Sequence, residues 1–361
     1  MPRLLSVLPS DLARTRGGAE RYAFELHAAL AEALPGWDLQ GLVVASEEPG
    51  RHVPAGWSAV DGRAGRRRSS GDAIGARCVL GHLRAGDVVV AHQWRTRATT
   101  ALRFGARLRR GARVAVIDHG AGTRVGYLLG WIPFPQADVG AHQSEFEAAI
   151  SPIRARRHIV IRGGVDQRRF RAPADGTAAA RDFLMVGRFL PYKGQLRFLE
   201  CLPHGARALL IGPRDSDDPE YRDAVVAKAA ELGVPIRFDV SDEELIEAYQ
   251  TSRHTVQVPV DIRRYEGAAP PELLGLTMLE AMACGSVPIC PATGASAEFV
   301  RDGHTGRTYE AGSADGLSRV LLAALDDDGH GALRTGALAE ARRWTWAHAA
   351  RELVSAVGGP G

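Results

Sequence analysis

Short, nearly unbroken apolar runs alternate with segments of helical period along almost the whole chain. In the first half the runs are Leu4–Leu8, Leu42–Ala45, Val88–Ala91, Val114–Ile117 and Ile159–Ile161, with helical stretches such as Ala19–Leu34 and Arg97–Leu108 between them. The second half repeats the scheme with Phe183–Val186, Ala208–Ile211, Ile236–Phe238, Thr255–Val258 and Val287–Ile289. A strand that is apolar on both faces and followed by a helix belongs to a parallel sheet covered on both sides, so the pattern predicts an α/β chain. Ser144-x-x-Glu147 and Ser241-x-x-Glu244 read as capping boxes that start two of the helices. A chain of 361 residues is too long for one ordinary core. Gly163-Gly164, Pro173 and Gly176 cluster after the last strand of the first half, which divides the chain into residues 1–170 and 171–340, with a terminal segment 341–361. Two Rossmann-like domains facing a cleft follow, and in such sheets ligands sit at the carboxyl ends of the strands.

Composition narrows the classes. An apolar fraction of 45% and a charged fraction of 24% are those of a globular protein. No apolar run is long enough for a membrane-spanning helix, and Met1-Pro2-Arg3 before Leu4–Leu8 is too short for a secretory signal. A cytoplasmic protein is expected, with peripheral contact at the inner face of a membrane left open. Cys78, Cys201, Cys284 and Cys290 are scattered and read as reduced thiols. With no His/Cys cluster either, no protein-bound metal and no cofactor are expected. The net charge of +3 conceals an asymmetry: residues 1–170 hold 25 arginines against 15 acids. The excess gathers at Arg63, Arg66, Arg67 and Arg68, and at Arg103, Arg107, Arg109 and Arg110. Such runs are usually solvated faces; the sharper reading is a surface for an anionic lipid or acceptor. No aromatic-interleaved basic motif points to nucleic acid.

Four constellations carry chemistry. Gly17-Gly18 opens the first helix after strand Leu4–Leu8 and lets a phosphate or sugar approach the backbone amides. The spacing is not G-x-G-x-x-G, which argues against a dinucleotide dehydrogenase. His92 and His119 each follow a strand; His119, with Gly120 and Gly122 behind it, is the better candidate for a residue in the cleft. Arg188 and Lys193 follow strand Phe183–Val186 and offer a planar fork and a point charge to a diphosphate. Lys193 and Lys228 are the only lysines among 45 basic residues, so retention of a lysine at 193 suggests that its compact ammonium is needed. Finally, Glu272 precedes and Glu280 lies within a helix expected from about Gly275 to Cys284. Eight helical residues span roughly 12 Å, too far for one acid–base pair but suited to opposite ends of one extended ligand. The free amides near Gly275 and Leu276 lie between them, aimed at a phosphate.

These pieces resemble, in order and over nearly the whole chain, the retaining GT-B glycosyltransferases of family 4. They are Gly17-Gly18-Ala19-Glu20-Arg21, His119-Gly120, Gly163-Gly164-Val165-Asp166, Gly187-Arg188 with Lys193-Gly194, Glu272-x7-Glu280, and Gly294 through Val300. The resemblance implies a GT-B fold whose first domain binds the acceptor and whose second binds a nucleotide-sugar donor, with a terminal helix crossing back. Arg188 and Lys193 would hold the diphosphate, and Glu280 the ribose hydroxyls. Glu272, Leu274, Gly275 and Leu276 would line the sugar and phosphate, Gly17-Gly18 the phosphate and acceptor side. His119 would approach the sugar. It implies a metal-independent, front-face transfer with retention to a glycan, lipid-linked or small-molecule acceptor. Leu274 stands where an aromatic is frequent, Arg162-Gly163 replaces Pro-Asn, Ala295 replaces a glycine, and Val260–Pro271 is a long loop that would select donor or cover acceptor. A sugar-nucleotide 2-epimerase and a non-catalytic nucleotide-sugar-binding partner share the same contacts.

Overall fold

The computed structural model describes residues 1–9, 17–45, 53–61, 76–94, 96–119, 136–151, 153–173, 179–259, 272–326 and 329–358. The arginines at 63 and 66–68, Gly120, Gly122 and the loop Val260–Pro271 lie outside the described residues, as does the Cys78 side chain. The chain separates into two compact units, Met1–Gly163 with Trp346–Gly361, and Gly164–Thr345. The division falls between the two glycines at 163 and 164, ahead of the 170/171 boundary read from the sequence.

The first unit holds one parallel sheet of seven strands: β1 (Arg3–Pro9), β2 (Asp38–Ala45), β3 (Trp57–Asp61), β4 (Val88–His92), β5 (Arg113–Ile117), β6 (Ala137–His142) and β7 (Ala155–Val160), in the order β3-β2-β1-β4-β5-β6-β7. Alternate residues of β1 feed opposite faces. Leu5 and Val7 join a core with Val44, Val89, Leu102 and Val116, while Leu8 packs with Ala23, Val43 and Trp57. The final helix, Trp346–Val357, belongs to this unit, with Trp346 edge-on to Tyr22 at 5.0 Å and Arg113 Nη1 donating to the Val357 carbonyl at 2.6 Å.

The second unit holds a parallel sheet of six strands: β8 (Arg181–Val186), β9 (Ala208–Gly212), β10 (Ile236–Phe238), β11 (Ser252–Val256), β12 (Val287–Pro291) and β13 (Arg307–Tyr309), ordered β10-β9-β8-β11-β12-β13. Its core joins Phe183, Met185, Phe198, Leu210, Val256 and Ile289, each worth roughly 1.5–3 kcal/mol when fully buried.

Several sequence expectations change here. The arginine run from 103 to 110 is not one solvated face. Arg103 is 2% exposed with its guanidinium 4.1 Å above the Trp94 ring, and Arg109 donates to the carbonyls of Leu80 and Leu83. Ser241 and Glu244 form the full capping box. Ser144 caps its helix, but the Glu147 carboxylate turns away to accept from the Gln143 N–H and to meet His142 Nδ1. β11 ends at Val256 rather than at Val258, which leaves Gln257 just past the carboxyl end of the strand. Cys201, Cys284 and Cys290 are buried free thiols, and burial pushes the last two up to about 12. Among the described residues no helix is long and apolar enough to cross a membrane.

Candidate functional site

In the second unit the strand order reverses between β8 and β11, and a doubly wound sheet opens a crevice at such a point. The segment leaving β8 carries Arg188 and then the 3-10 turn Pro191–Lys193; the chain leaving β11 carries Gln257 and returns at Glu272. The topology therefore brings Lys193 to Glu272 across 79 positions of sequence: Lys193 Nζ donates to Glu272 Oε2 at 2.8 Å. Their side chains are 24% and 22% exposed. Burial works against the ammonium, but Glu272 and the nearby Tyr192 outweigh it and raise the Lys193 pKa above the ordinary lysine value. Arg188 Nη2 donates to the Tyr192 hydroxyl at 2.8 Å and Nη1 reaches Asp217 at 3.4 Å. Gly194, which follows Lys193, has φ +74°, and a β-carbon there would run into the Val258 carbonyl oxygen. Only glycine lets the chain turn there against the segment that leaves β11.

Glu272 is held from three sides. Gln257 Nε2 donates to Oε2 at 3.0 Å, and the Gly275 N–H donates to Oε1 at 3.3 Å. Gly275, at φ +86°, is the N-cap of the helix Leu276–Ala283, so the helix is one residue shorter at each end than the sequence suggested. A helix start leaves first-turn N–H groups without intrahelical acceptors, here those of Leu276 and Thr277, beside Glu272. Leu274 is buried. Glu280 faces inward at 6% exposure, and its Oε2 accepts from the Tyr249 hydroxyl at 3.3 Å. Arg188, Lys193, Glu272, Leu274, Gly275, Leu276 and Glu280 thus share one unit.

Gly17, Gly18 and His119 belong to the first unit. Gly17 caps the helix Gly18–Ala33, its N–H held by Glu20 Oε2 at 2.9 Å, and Gly18 is exposed. From that helix Tyr22 sets its ring edge-on to His119 at 5.1 Å. His119 is not the isolated histidine its sequence position suggests. Its Nε2 lies 3.0 Å from Nδ1 of the fully buried His92, with the rings stacked. Burial takes His119 down to about 4, partly offset by Gln143, and burial followed by the two neighbouring imidazoles takes His92 well below the ordinary histidine value. Both rings are neutral at pH 7. Gln93, next along, is a non-glycine residue at φ +72°, with its N–H donating to the Ile117 carbonyl at 2.8 Å. Among the described residues no group of three or more His, Cys, Asp or Glu side chains is placed to hold a metal ion.

Residues 167–344 match the family described as glycosyl transferases group 1, almost the full span of the second unit. Over this unit the chain is similar to the group 1 glycosyl transferases. It is 30% identical over 225 residues to the D-inositol 3-phosphate glycosyltransferase of Streptomyces bingchenggensis, covering 53% of this chain and 45% of that protein. It is 29% identical over 201 residues to the GDP-mannose-dependent alpha-(1-6)-phosphatidylinositol monomannoside mannosyltransferase of Mycolicibacterium smegmatis, covering 50% and 49%. The chain spans less than half the length of these curated relatives. Among solved structures it resembles sucrose-phosphate synthase from Thermosynechococcus elongatus, with a TM-score of 0.80, 18% identity and 98% of both chains covered. Anabaena HepE in complex with UDP-glucose gives 0.73, at 17% identity, covering 98% of this chain and 99% of that one. The fold is GT-B, built from two Rossmann-like units, as the sequence resemblance implied.

Sequence reasoning missed four polar residues of this unit: Tyr192, Tyr249, Gln257 and Ser296. Ser296 Oγ donates to Gln257 Oε1 at 2.6 Å, which ties a loop after β12 to Glu272. One signal was present for Gln257, a lone amide inside the apolar run Thr255–Val258. The tyrosines carry no such signal, because an aromatic beside a helix or strand reads as core.

Proposed function

We propose that the chain transfers a sugar from a nucleoside diphosphate donor to an acceptor hydroxyl, with retention of anomeric configuration and without a bound metal. The observation that carries this is the Lys193–Glu272 pair at the sheet's switch point, beside a helix N-terminus. It separates a cation suited to phosphate from a carboxylate suited to sugar hydroxyls and stores both in one contact. When a donor enters, its diphosphate competes for Lys193, with Arg188 alongside, and the first-turn amides of Leu276–Ala283 receive a phosphate oxygen. Glu272 is freed to accept from the sugar, and Glu280, steadied by Tyr249, accepts from the ribose. The charge developing on the leaving diphosphate is offset by the two cations, and that diphosphate assists removal of the acceptor's proton. No carboxylate is needed as a dedicated base. His119 serves the sugar or acceptor as a neutral hydrogen-bonding group, its ring held from behind by the buried His92.

The acceptor belongs to the first unit, whose 24 arginines against 15 acids over residues 1–163 and 346–361 favour an anionic polyol or lipid headgroup at a membrane face. The relatives named for inositol 3-phosphate and phosphatidylinositol mannoside support that chemistry. The test is incubation of the protein with UDP- and GDP-hexoses and candidate acceptors in excess chelator, following nucleotide release and the anomeric configuration of the product. Acceptor-dependent release with the anomer retained is expected. Release of no nucleotide from any donor, an inverted product, an epimerised sugar nucleotide or loss of activity in chelator counts against the reading.

A further inference from the structure

Glu272 is oriented by more than its ion pair. Its Oε2 takes two donors, Lys193 Nζ at 2.8 Å and Gln257 Nε2 at 3.0 Å, while among the described residues Oε1 has only the long contact from the Gly275 N–H at 3.3 Å. A carboxylate oxygen accepts about two hydrogen bonds, so without a sugar-nucleotide donor Oε2 is filled; when Lys193 turns to a diphosphate the Gln257 amide still holds Oε2, and Oε1 keeps capacity for a ligand. What fixes this asymmetry is the direction of the Gln257 amide. Ser296 Oγ has a proton to give, and its 2.6 Å contact to Gln257 Oε1 leaves Nε2 as the end that faces Glu272. Ser296 is itself fixed: it is buried, and a β-carbon on Gly275 would fall 2.5 Å from its hydroxyl oxygen. The residue that starts the phosphate-facing helix therefore also leaves room for the hydroxyl that sets the amide.

The backbone of Gln257 is secured independently of its side chain. Its N–H donates to the Ile289 carbonyl at 2.9 Å, and its own carbonyl accepts from the Tyr309 hydroxyl at 2.9 Å. The fold does not require the side-chain amide at this position, yet both of its ends are engaged, one by a serine and one by the carboxylate.

We propose that Gln257, locked by Ser296, is a positioning residue that turns Glu272 Oε1 toward the sugar of the donor, and thereby sets the preference of the site for a sugar nucleotide over the free nucleoside diphosphate. The inference rests on the donor reading above. It assigns to this pair a selectivity that the phosphate contacts cannot supply, because a nucleoside diphosphate lacks the group that Oε1 addresses.

Calorimetric titration of the whole chain with UDP, GDP, UDP-glucose and GDP-mannose tests it. The variants are Gln257→Met, which keeps length without polar atoms, Ser296→Ala, and the two combined. Loss of one hydrogen bond to a charged group is expected to weaken sugar-nucleotide binding about ten- to a hundredfold in Gln257→Met. Affinity for the matching nucleoside diphosphate should stay within about threefold. Ser296→Ala should weaken the same ligand less, and add nothing once Gln257 is methionine, as two members of one chain of contacts behave. Gln257→Glu should make sugar-nucleotide binding improve as pH falls, because two adjacent carboxylates then share a proton. Equal weakening of both ligand classes, an unchanged ratio, or a full Ser296→Ala effect in the Gln257→Met background overturns the inference while the donor reading stands. Failure of the unaltered protein to bind any of the four nucleotides overturns both.

Discussion

Replacing Lys193 with Ala removes the one ammonium that meets Glu272 and leaves that carboxylate, among the described residues, with the donors Gln257 Nε2 and the Gly275 N–H. Breaking a fully buried ion pair costs about 3–5 kcal/mol, and an exposed one contributes about 0–1 kcal/mol. With side chains 24% and 22% exposed, this pair lies between those limits. The expected loss of stability is about 1–3 kcal/mol, out of roughly 5–15 kcal/mol for a native domain, so the variant stays folded. Turnover should suffer more. Removing one donor aimed at developing charge costs about 10²- to 10³-fold, or roughly 2.7–4 kcal/mol of transition-state stabilisation. Glu272→Gln separates the two effects: it breaks the same ion pair but keeps the ammonium for the diphosphate, so its loss should fall on sugar binding instead. The pH dependence carries a sign. Because the folded Lys193 pKa is raised above the ordinary lysine value, its stabilisation is present in full below that ordinary value, about 10.4, and fades only as pH rises through the folded pKa. The Lys193→Ala deficit should be flat from pH 6 to 9, as read by urea unfolding, and should close in strongly alkaline solution. Turnover is read by nucleotide release at saturating donor. Turnover within about threefold of the unaltered protein, or a stability deficit that shrinks between pH 6 and 9, would refute the reasoning.

Gly194→Ala should destabilise the second unit by at least about 3 kcal/mol, because the left-handed φ alone costs a side chain roughly 1–2 kcal/mol and the new methyl meets the Val258 carbonyl; a loss under about 1 kcal/mol in urea would contradict the packing described. In the first unit His27, 5% exposed and hydrogen-bonded to Ser6 Oγ, is held down to about 4 by burial. A histidine depressed in the folded state stabilises fully above its unfolded value near 6.5 and loses that contribution as pH falls toward the folded pKa, here worth roughly 3 kcal/mol. Unfolding free energy should therefore drop between about pH 6.5 and 4, and His27→Gln should flatten that slope; identical slopes for the two proteins would count against it.

Much of the fold was legible because the central strands of a parallel sheet are buried on both faces and must be apolar whatever their partners. β1, β4, β5, β8, β9 and β12 announced themselves in this way. β3 and β13 were not read because polar residues, Ser58 and Asp61 in one and Arg307 and Thr308 in the other, break their apolar runs; β6 was hidden by Gly140, Asp138 and His142. A β-carbon at Gly140 would press on Ile153 and His158 at 3.0 Å, so those side chains, distant in sequence, would have to give way. Spacing alone also located Glu272, Gly275 and Glu280, because the helix joining them is a local structure with a fixed rise. What the linear pattern could not decide was which distant groups meet. The order of strands puts Lys193 against Glu272, Ser296 against Gln257, and His92 against His119, and it turns Arg103 from a surface charge into a buried cation over Trp94. Periodicity reports the face a residue shows to its own element. Pairing across a sheet's switch point depends on how the elements are ordered in space, and only the tertiary structure contains that order.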